Sequence, residues 1–283
     1  MEFSLPQVET FVPDGLALEA ALARTTHLAI GAHQDDLEFM AFHGIAECFG
    51  RTDRWFTGVC MTNGAGSART GPYAYCTDEA MQGIRVREQR KAAFVGEYSV
   101  MLQLMAPSSL VKNASDPRLV EDLVQILSLA QPEFVYLHNP CDKHDTHVAS
   151  CLRAVEALRR LPAQARPNCV YGCEIWRDLD WLPDERKQVL SCDAHPNLAA
   201  ALNGVFDSQI VGGKRYDLAI QGRRAAHATF FESHEVDSHT ALSFAMDLSP
   251  LLEQPELAVG DFARGLVEEL ATDVQARLSR CSK

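Results

Sequence analysis

The sequence predicts an α/β fold wound around a mostly parallel sheet, with a C-terminal elaboration. Two observations carry that expectation. From Thr26 to Trp176, apolar runs of strand length alternate with longer amphipathic stretches, the pattern that βαβ units produce. No repeat, low-complexity segment or Pro/Gly/Ser-rich linker interrupts the chain, so residues 1–283 read as one domain. With 283 residues, 47% of them hydrophobic, the chain can fill one large core or two small ones.

The elements follow in order. Thr26–Ala32 (THLAIGA) is an apolar run of strand length. Leu37–Phe49 then reads as a helix, with Met40 and Phe42 as core residues. Trp55–Met61 (WFTGVCM) is the second strand, followed by a long loop, Asn63–Thr77, carrying Gly64-Ala65-Gly66-Ser67, Tyr73 and Tyr75. That loop lacks the GxGxxG spacing of a phosphate cradle. It stands either as an ordinary surface loop or as a lid lining a substrate site, a frequent use of loops this long. Helix Asp78–Val95, strand Ser99–Met105, helix Pro117–Ala130, strand Glu133–His138, helix Thr146–Leu161 and strand Cys169–Trp176 complete the regular part. Beyond Trp176 the pattern loosens, and Ala194–Asn203 and Leu218–Glu232 read as helices.

Composition excludes several partners. There are 26 basic against 38 acidic side chains, a net charge of −12, and no basic cluster longer than REQRK. Nucleic acid and anionic membrane surfaces are therefore not expected partners. The start, MEFSLPQVET, has neither a positive n-region nor an apolar h-region. No apolar run approaches the ~18 residues of a membrane helix. Nine scattered cysteines suit reduced thiols better than a disulfide framework. These features point to the cytoplasm.

Two polar clusters stand at strand ends. The first strand runs into His33, Gln34, Asp35 and Asp36, at the edge where open α/β sheets bind ligands. Asp36 alone would suit a helix N-cap. Adjacent carboxylates repel, however, and a helix N-terminus offers only about half a charge. A divalent cation would satisfy His33, Asp36 and the extra carboxylate together. The fourth strand ends likewise, in His138, Asp142, His144, Asp145 and His147. His144 and His147 are three apart at the start of a helical segment, which puts both imidazoles on one face. Two histidines, an aspartate and an open position form a catalytic zinc arrangement. Cys141, among aspartates, reads as a bystander thiol, and His234 and His239 as surface residues.

These segments resemble the PIG-L/LmbE family of zinc-dependent N-deacetylases. That family's first strand ends in Ala-His-Pro-Asp-Asp-x-Glu, here Ala32-His33-Gln34-Asp35-Asp36-Leu37-Glu38. Its second signature, Asp-x-His-Pro-Asp-His, reads Asp142-Lys143-His144-Asp145-Thr146-His147. Weaker similarities are Thr62-Asn63-Gly64, Arg85-Val86-Arg87-Glu88 and Ser208-Gln209. The resemblance implies a Rossmann-like, mostly parallel sheet with helices on both faces. It implies one Zn2+ per chain held by His33, Asp36 and His147. Asp35 would be the general base toward the attacking water, and His144 would support the oxyanion or protonate the leaving amine. The implied substrate is a small-molecule amino-sugar conjugate bearing an N-acetylglucosamine unit, and the implied reaction is amide hydrolysis.

The chain departs from the family pattern at Gln34, Ala65, Thr146 and Asp207, where Pro, Glu, Asp and His are usual. With Thr146 in place of the residue that usually orients His144, Asp142 is expected to take over that role from the preceding loop; the alternative is that Asp142 only caps the helix that follows. Two other classes stay open. One is a metal phosphoesterase, which needs a second metal and basic contacts; the other is a metal-binding protein without turnover. Oligomeric state and native metal stay open too, since Zn, Co, Mn and Fe accept this ligand set.

Overall fold

A computed structural model describes residues 1–282. Eight strands form one sheet: β1 (Glu9–Phe11), β2 (His27–Gly31), β3 (Phe56–Thr62), β4 (Val100–Ala106), β5 (Phe134–His138), β6 (Cys169–Cys173), β7 (Lys187–Ser191) and β8 (Leu242–Asp247). Across the sheet they lie in the order β1-β4-β3-β2-β5-β6-β8-β7. The inner five run parallel, while β1, β8 and β7 join antiparallel at the two edges. This is the mostly parallel α/β sheet that the sequence predicts, with β7 and β8 supplied by the C-terminal elaboration.

Every residue of β2 and β3 is buried, which is why both read as unbroken apolar runs rather than as alternating patterns. Alternate side chains still serve opposite faces. Leu28, Ile30, Val135 and Leu137 enter a core shared with the helices Arg118–Ala130 and Asp145–Arg160. Ala29 and Tyr136 enter the other, under the helices Asp36–Met40, Phe42–Cys48 and Asp78–Val95.

The chain builds outward from β2 through β3 to β4, then returns to place β5 on the other side of β2. The carboxyl ends of β2 and β5 therefore flank a topological switch point, where open α/β sheets leave a crevice for ligands.

Local differences from expectation have visible causes. The helix expected over Leu37–Phe49 is two helices. The buried Arg224 guanidinium donates to the carbonyls of Glu38 and Phe39, each at 3.0 Å. A continuous helix would pair those oxygens with amides four residues on. Strand β6 stops at Cys173, because the Trp176 N–H goes to Asp142 Oδ2 at 3.2 Å. The Glu174 carboxylate meanwhile accepts from the Leu179 and Phe244 amides at 2.9 and 3.0 Å. The strands β1, β7 and β8 and the helices Leu18–Ala23 and Val259–Cys281 lie outside the expected elements. Among the described residues, no helix is long and apolar enough to cross a membrane.

Candidate metal centre and catalytic pocket

The loop after β2 is held in a costly shape. Asp35 has φ +97°, a region that non-glycine residues rarely occupy unless their surroundings fix them. Here they do. The Asp35 amide donates to Gln89 Oε1 at 3.1 Å, and Gln89 Nε2 donates to Glu38 Oε1 at 2.7 Å. The Gln34 side chain donates to Thr62 O and Gln103 Oε1 at 3.0 and 3.2 Å, tying the loop to β3 and β4. Gln34 thus replaces the usual proline with hydrogen bonds. Gly64 packs beneath it at φ +73°, where a Cβ would stand 2.8 Å from Gln34 Oε1 and 2.9 Å from Arg85 Cγ.

Three donor atoms converge above this loop. His33 Nδ1 lies 3.2 Å from Asp36 Oδ2 and 3.2 Å from His147 Nε2, and the last two are 3.5 Å apart. Tetrahedral bonds of 2.0–2.1 Å separate ligand atoms by about 3.3 Å, so this triangle fits a zinc-sized cation. The sequence reading names the same three residues. Asp36 Oδ2 also accepts from the His33 amide at 2.7 Å, which fixes the carboxylate. Burial would raise the Asp36 pKa, but the imidazoles of His147, His138 and His33 outweigh it and hold the carboxyl well below its ordinary range. Burial pulls His33 down, yet Asp36 reverses this and leaves it raised.

Asp142 does not touch the His144 ring, contrary to expectation. Its Oδ2 lies 3.3 Å from His147 Nδ1, while its Oδ1 accepts only the His144 backbone amide, at 3.1 Å. The reason is placement. His144 precedes the helix in extended conformation, so its backbone turns toward Asp142 while its ring stacks toward Trp176, centroids 6.0 Å apart. His144 Nδ1 is buried without a hydrogen-bond partner, and burial lowers its pKa. Burial also lowers His147, to about 4.

His138 belongs to the cluster, although the sequence assigns it no role there. It is fully buried, and its Nε2 accepts the Ala32 amide at 2.8 Å while standing 3.2 Å from Asp36 Oδ2. With that lone pair engaged, it braces β2 against β5. Its position as the inward last residue of β5 was the available signal. His33/His144/His147 and Asp36/His138/His147 each hold donor atoms within 4.8 Å of one another. Both groups share His147, so they describe one centre.

Asp35 faces the same space from the other side of Asp36. Burial pushes its carboxyl up to about 7, against the pull of Arg85 and with Asp36 reinforcing the rise. Arg85 Nη2 meets Asp35 Oδ2 at 2.8 Å, and Nη1 meets Glu88 Oε2 at 3.0 Å. Glu88 in turn accepts from the Ser208 amide and hydroxyl, both at 2.7 Å. The Arg-x-x-Glu helix and the Ser-Gln segment therefore lock together behind Asp35. Glu38, beside them, is pushed up to about 8 by burial.

The cavity over these groups measures about 400 Å3. His33, Asp35, Asp36 and His144 share its walls with Trp176, Tyr216, Thr146, Gln209 and the 64–68 segment of the long loop. That segment makes the loop a wall of the site. Asp207, which replaces the usual histidine, accepts the Tyr73 hydroxyl at 2.5 Å and so latches the loop to the Ser-Gln segment. Asp145 is not among the lining residues, and Cys141 has its thiol pushed up by burial. His239 pairs instead with Asp193 at 2.6 Å.

Comparison places this architecture among known ones. Residues 28–158 match the family model described as PIG-L: GlcNAc-PI de-N-acetylase. No curated protein matches the sequence. Similar solved structures include the N,N'-diacetylchitobiose deacetylase of Pyrococcus horikoshii, with TM-score 0.60, 14% identity, and 81% of this chain and 85% of that one covered. The 4-carboxy-2-hydroxymuconate hydratase GalB of Pseudomonas putida gives TM-score 0.57 and 16% identity over 79% and 96%. A zinc-inhibited form of a teicoplanin deacetylase gives 0.53 and 15% over 79% and 97%. At such identities these likenesses concern the fold.

Proposed function

We propose, from the match of residues 28–158 to the PIG-L family model, that the chain is a metal-dependent hydrolase removing an N-acetyl group from an N-acetylglucosamine-type conjugate. The observation that carries this reading is the triangle of His33 Nδ1, Asp36 Oδ2 and His147 Nε2, with sides of 3.2–3.5 Å, beside the buried Asp35. His33, Asp36 and His147 hold one divalent cation, zinc first among the transition metals. Bound there, it polarises an amide carbonyl and makes water acidic near neutral pH.

The remaining work falls to the chain's own groups. Asp35 takes the proton of the attacking water, and Arg85 fixes its carboxylate in place. The proton that Asp35 takes from water passes on to the leaving amine through His144, whose unpartnered ring nitrogen also steadies the oxyanion. Asp142 is a positioning residue, acting through His147. Trp176 and Tyr216 offer flat walls for a sugar ring.

The shared His147 favours one cation over the pair that a phosphoesterase uses. The latch through Asp207 gives that departure a structural use, which favours a working site over a silent one. Strands β7 and β8, joined to the same sheet, support treating residues 1–283 as one domain. Nine cysteines without disulfides suit the cytoplasm.

The test is amine release from neutral N-acetylglucosaminides with zinc supplied. Wild type should turn over, and Asp35→Asn should keep its metal while losing ~10²-fold or more in kcat. No amine from any glycoside, or a metal-empty Asp35→Asn, would overturn this assignment.

A further inference from the structure

The cavity holds two positive charges that the chemistry above does not use. Lys112 and Lys214 both line it, in a protein of net charge −12 that has only six lysines. Neither forms an ion pair among the described residues. Every other charge facing the space is committed: Arg85 to Asp35 and Glu88, and Asp36 to the imidazoles.

Lys214 is placed by the site itself. Its Nζ stands 5.1 Å from the centroid of Trp176, a cation held over an aromatic face, and Trp176 stacks 6.0 Å from His144. Lys112 comes from the opposite flank, directly after the short helix Ser108–Val111 beyond β4. Neutral donors share the cavity wall with them, Ser67, Ser108 and Thr62. The Thr62 hydroxyl is buried without a partner.

We infer that Lys112 and Lys214 make this pocket specific for substrates carrying an oxyanion, a carboxylate or a phosphate, on the part of the conjugate beyond the acetamido group. An ammonium in a walled cleft focuses an attractive field on an anion, and unlike the cation at His33, Asp36 and His147 it leaves the scissile amide free. Lys214 lies on the His144 side, where the amine stays attached to the sugar, so the aglycone extends toward it. The sugar part of this inference rests on the deacetylase reading; the charge part does not.

Binding separates the two. Calorimetry of the zinc-loaded protein would compare phenyl N-acetylglucosaminide with its 4-carboxyphenyl analogue and with N-acetylglucosamine 1-phosphate, and the two anionic probes distinguish carboxylate from phosphate. At least one anion should bind roughly fivefold or more tightly than the neutral glycoside, the scale of a partly exposed ion pair. K112E and K214E should each erode that ratio, and together bring it to one or below. K91E, which makes the same change of net charge on the exposed face of the helix Asp78–Val95, should leave the ratio intact. Equal affinity for all three probes, or a ratio unmoved in the double variant while circular dichroism reports a native fold, would overturn the inference. Charge-dependent binding without amine release would instead overturn the deacetylase reading and leave the oxyanion subsite standing.

Discussion

The Asp142 carboxylate lies 3.3 Å from Nδ1 of His147, on the side of the imidazole away from Asp36. A histidine that offers Nε2 to a metal needs such a partner on its other nitrogen, which fixes tautomer and orientation. The Trp176 amide on the same Oδ2 holds Asp142 in turn, so the segment three residues beyond β6 supports the placement of His147.

Asp142→Asn should therefore weaken metal binding by ~10–100-fold, the range for losing such a partner. Chelator competition reads this directly. Unchanged affinity with reduced turnover would return Asp142 to His144, the role expected from sequence.

Tyr73→Phe removes the hydroxyl that Asp207 accepts at 2.5 Å and leaves the ring. The loop forming one wall of the cavity should open more often. KM should rise by roughly two- to tenfold, as loss of one hydrogen bond to a charged group allows, with kcat little changed. Faster hydrogen exchange across residues 63–77 would accompany it; unchanged exchange would show that the wall stands without the latch.

His27 makes stability acid-sensitive. Burial lowers its pKa to about 4, and its ring stacks on Phe134 at 4.7 Å. Between pH 6.5 and about 4 the unfolded chain binds a proton that the folded one refuses, so folding stability present above 6.5 falls as pH drops through that window. The loss is at most about 3 kcal/mol. Denaturant unfolding of His27→Gln should show a shallower decline between pH 6.5 and 4 than wild type, and an identical slope would remove His27 as the cause.

Much of this was legible because buried parallel strands leave continuous apolar runs: the five inner strands fall within a residue or so of the expected spans, apart from the end of β6. The edge strands were not legible. β1 has three residues, and β7 (KQVLS) is largely polar because one side of it meets solvent. The helix Val259–Cys281 buries only Leu266, too little to print an apolar stripe. At the site, identity and spacing mark the two strand-end clusters, and the family resemblance picks His33, Asp36 and His147 out of them, but neither says which ring Asp142 meets. That depends on the chain turning at His144, just outside its helix. The break between Met40 and Phe42 likewise needs Arg224, which lies far along the chain.

The most direct measurement is metal content by elemental analysis after zinc loading and gel filtration, for wild type beside His33→Ala, Asp36→Ala and His147→Ala. A single centre predicts close to one zinc per wild-type chain and a large loss in each variant, with the native fold kept by circular dichroism. Full occupancy in any of the three, or two zinc ions per wild-type chain, would contradict a single centre built on His33, Asp36 and His147.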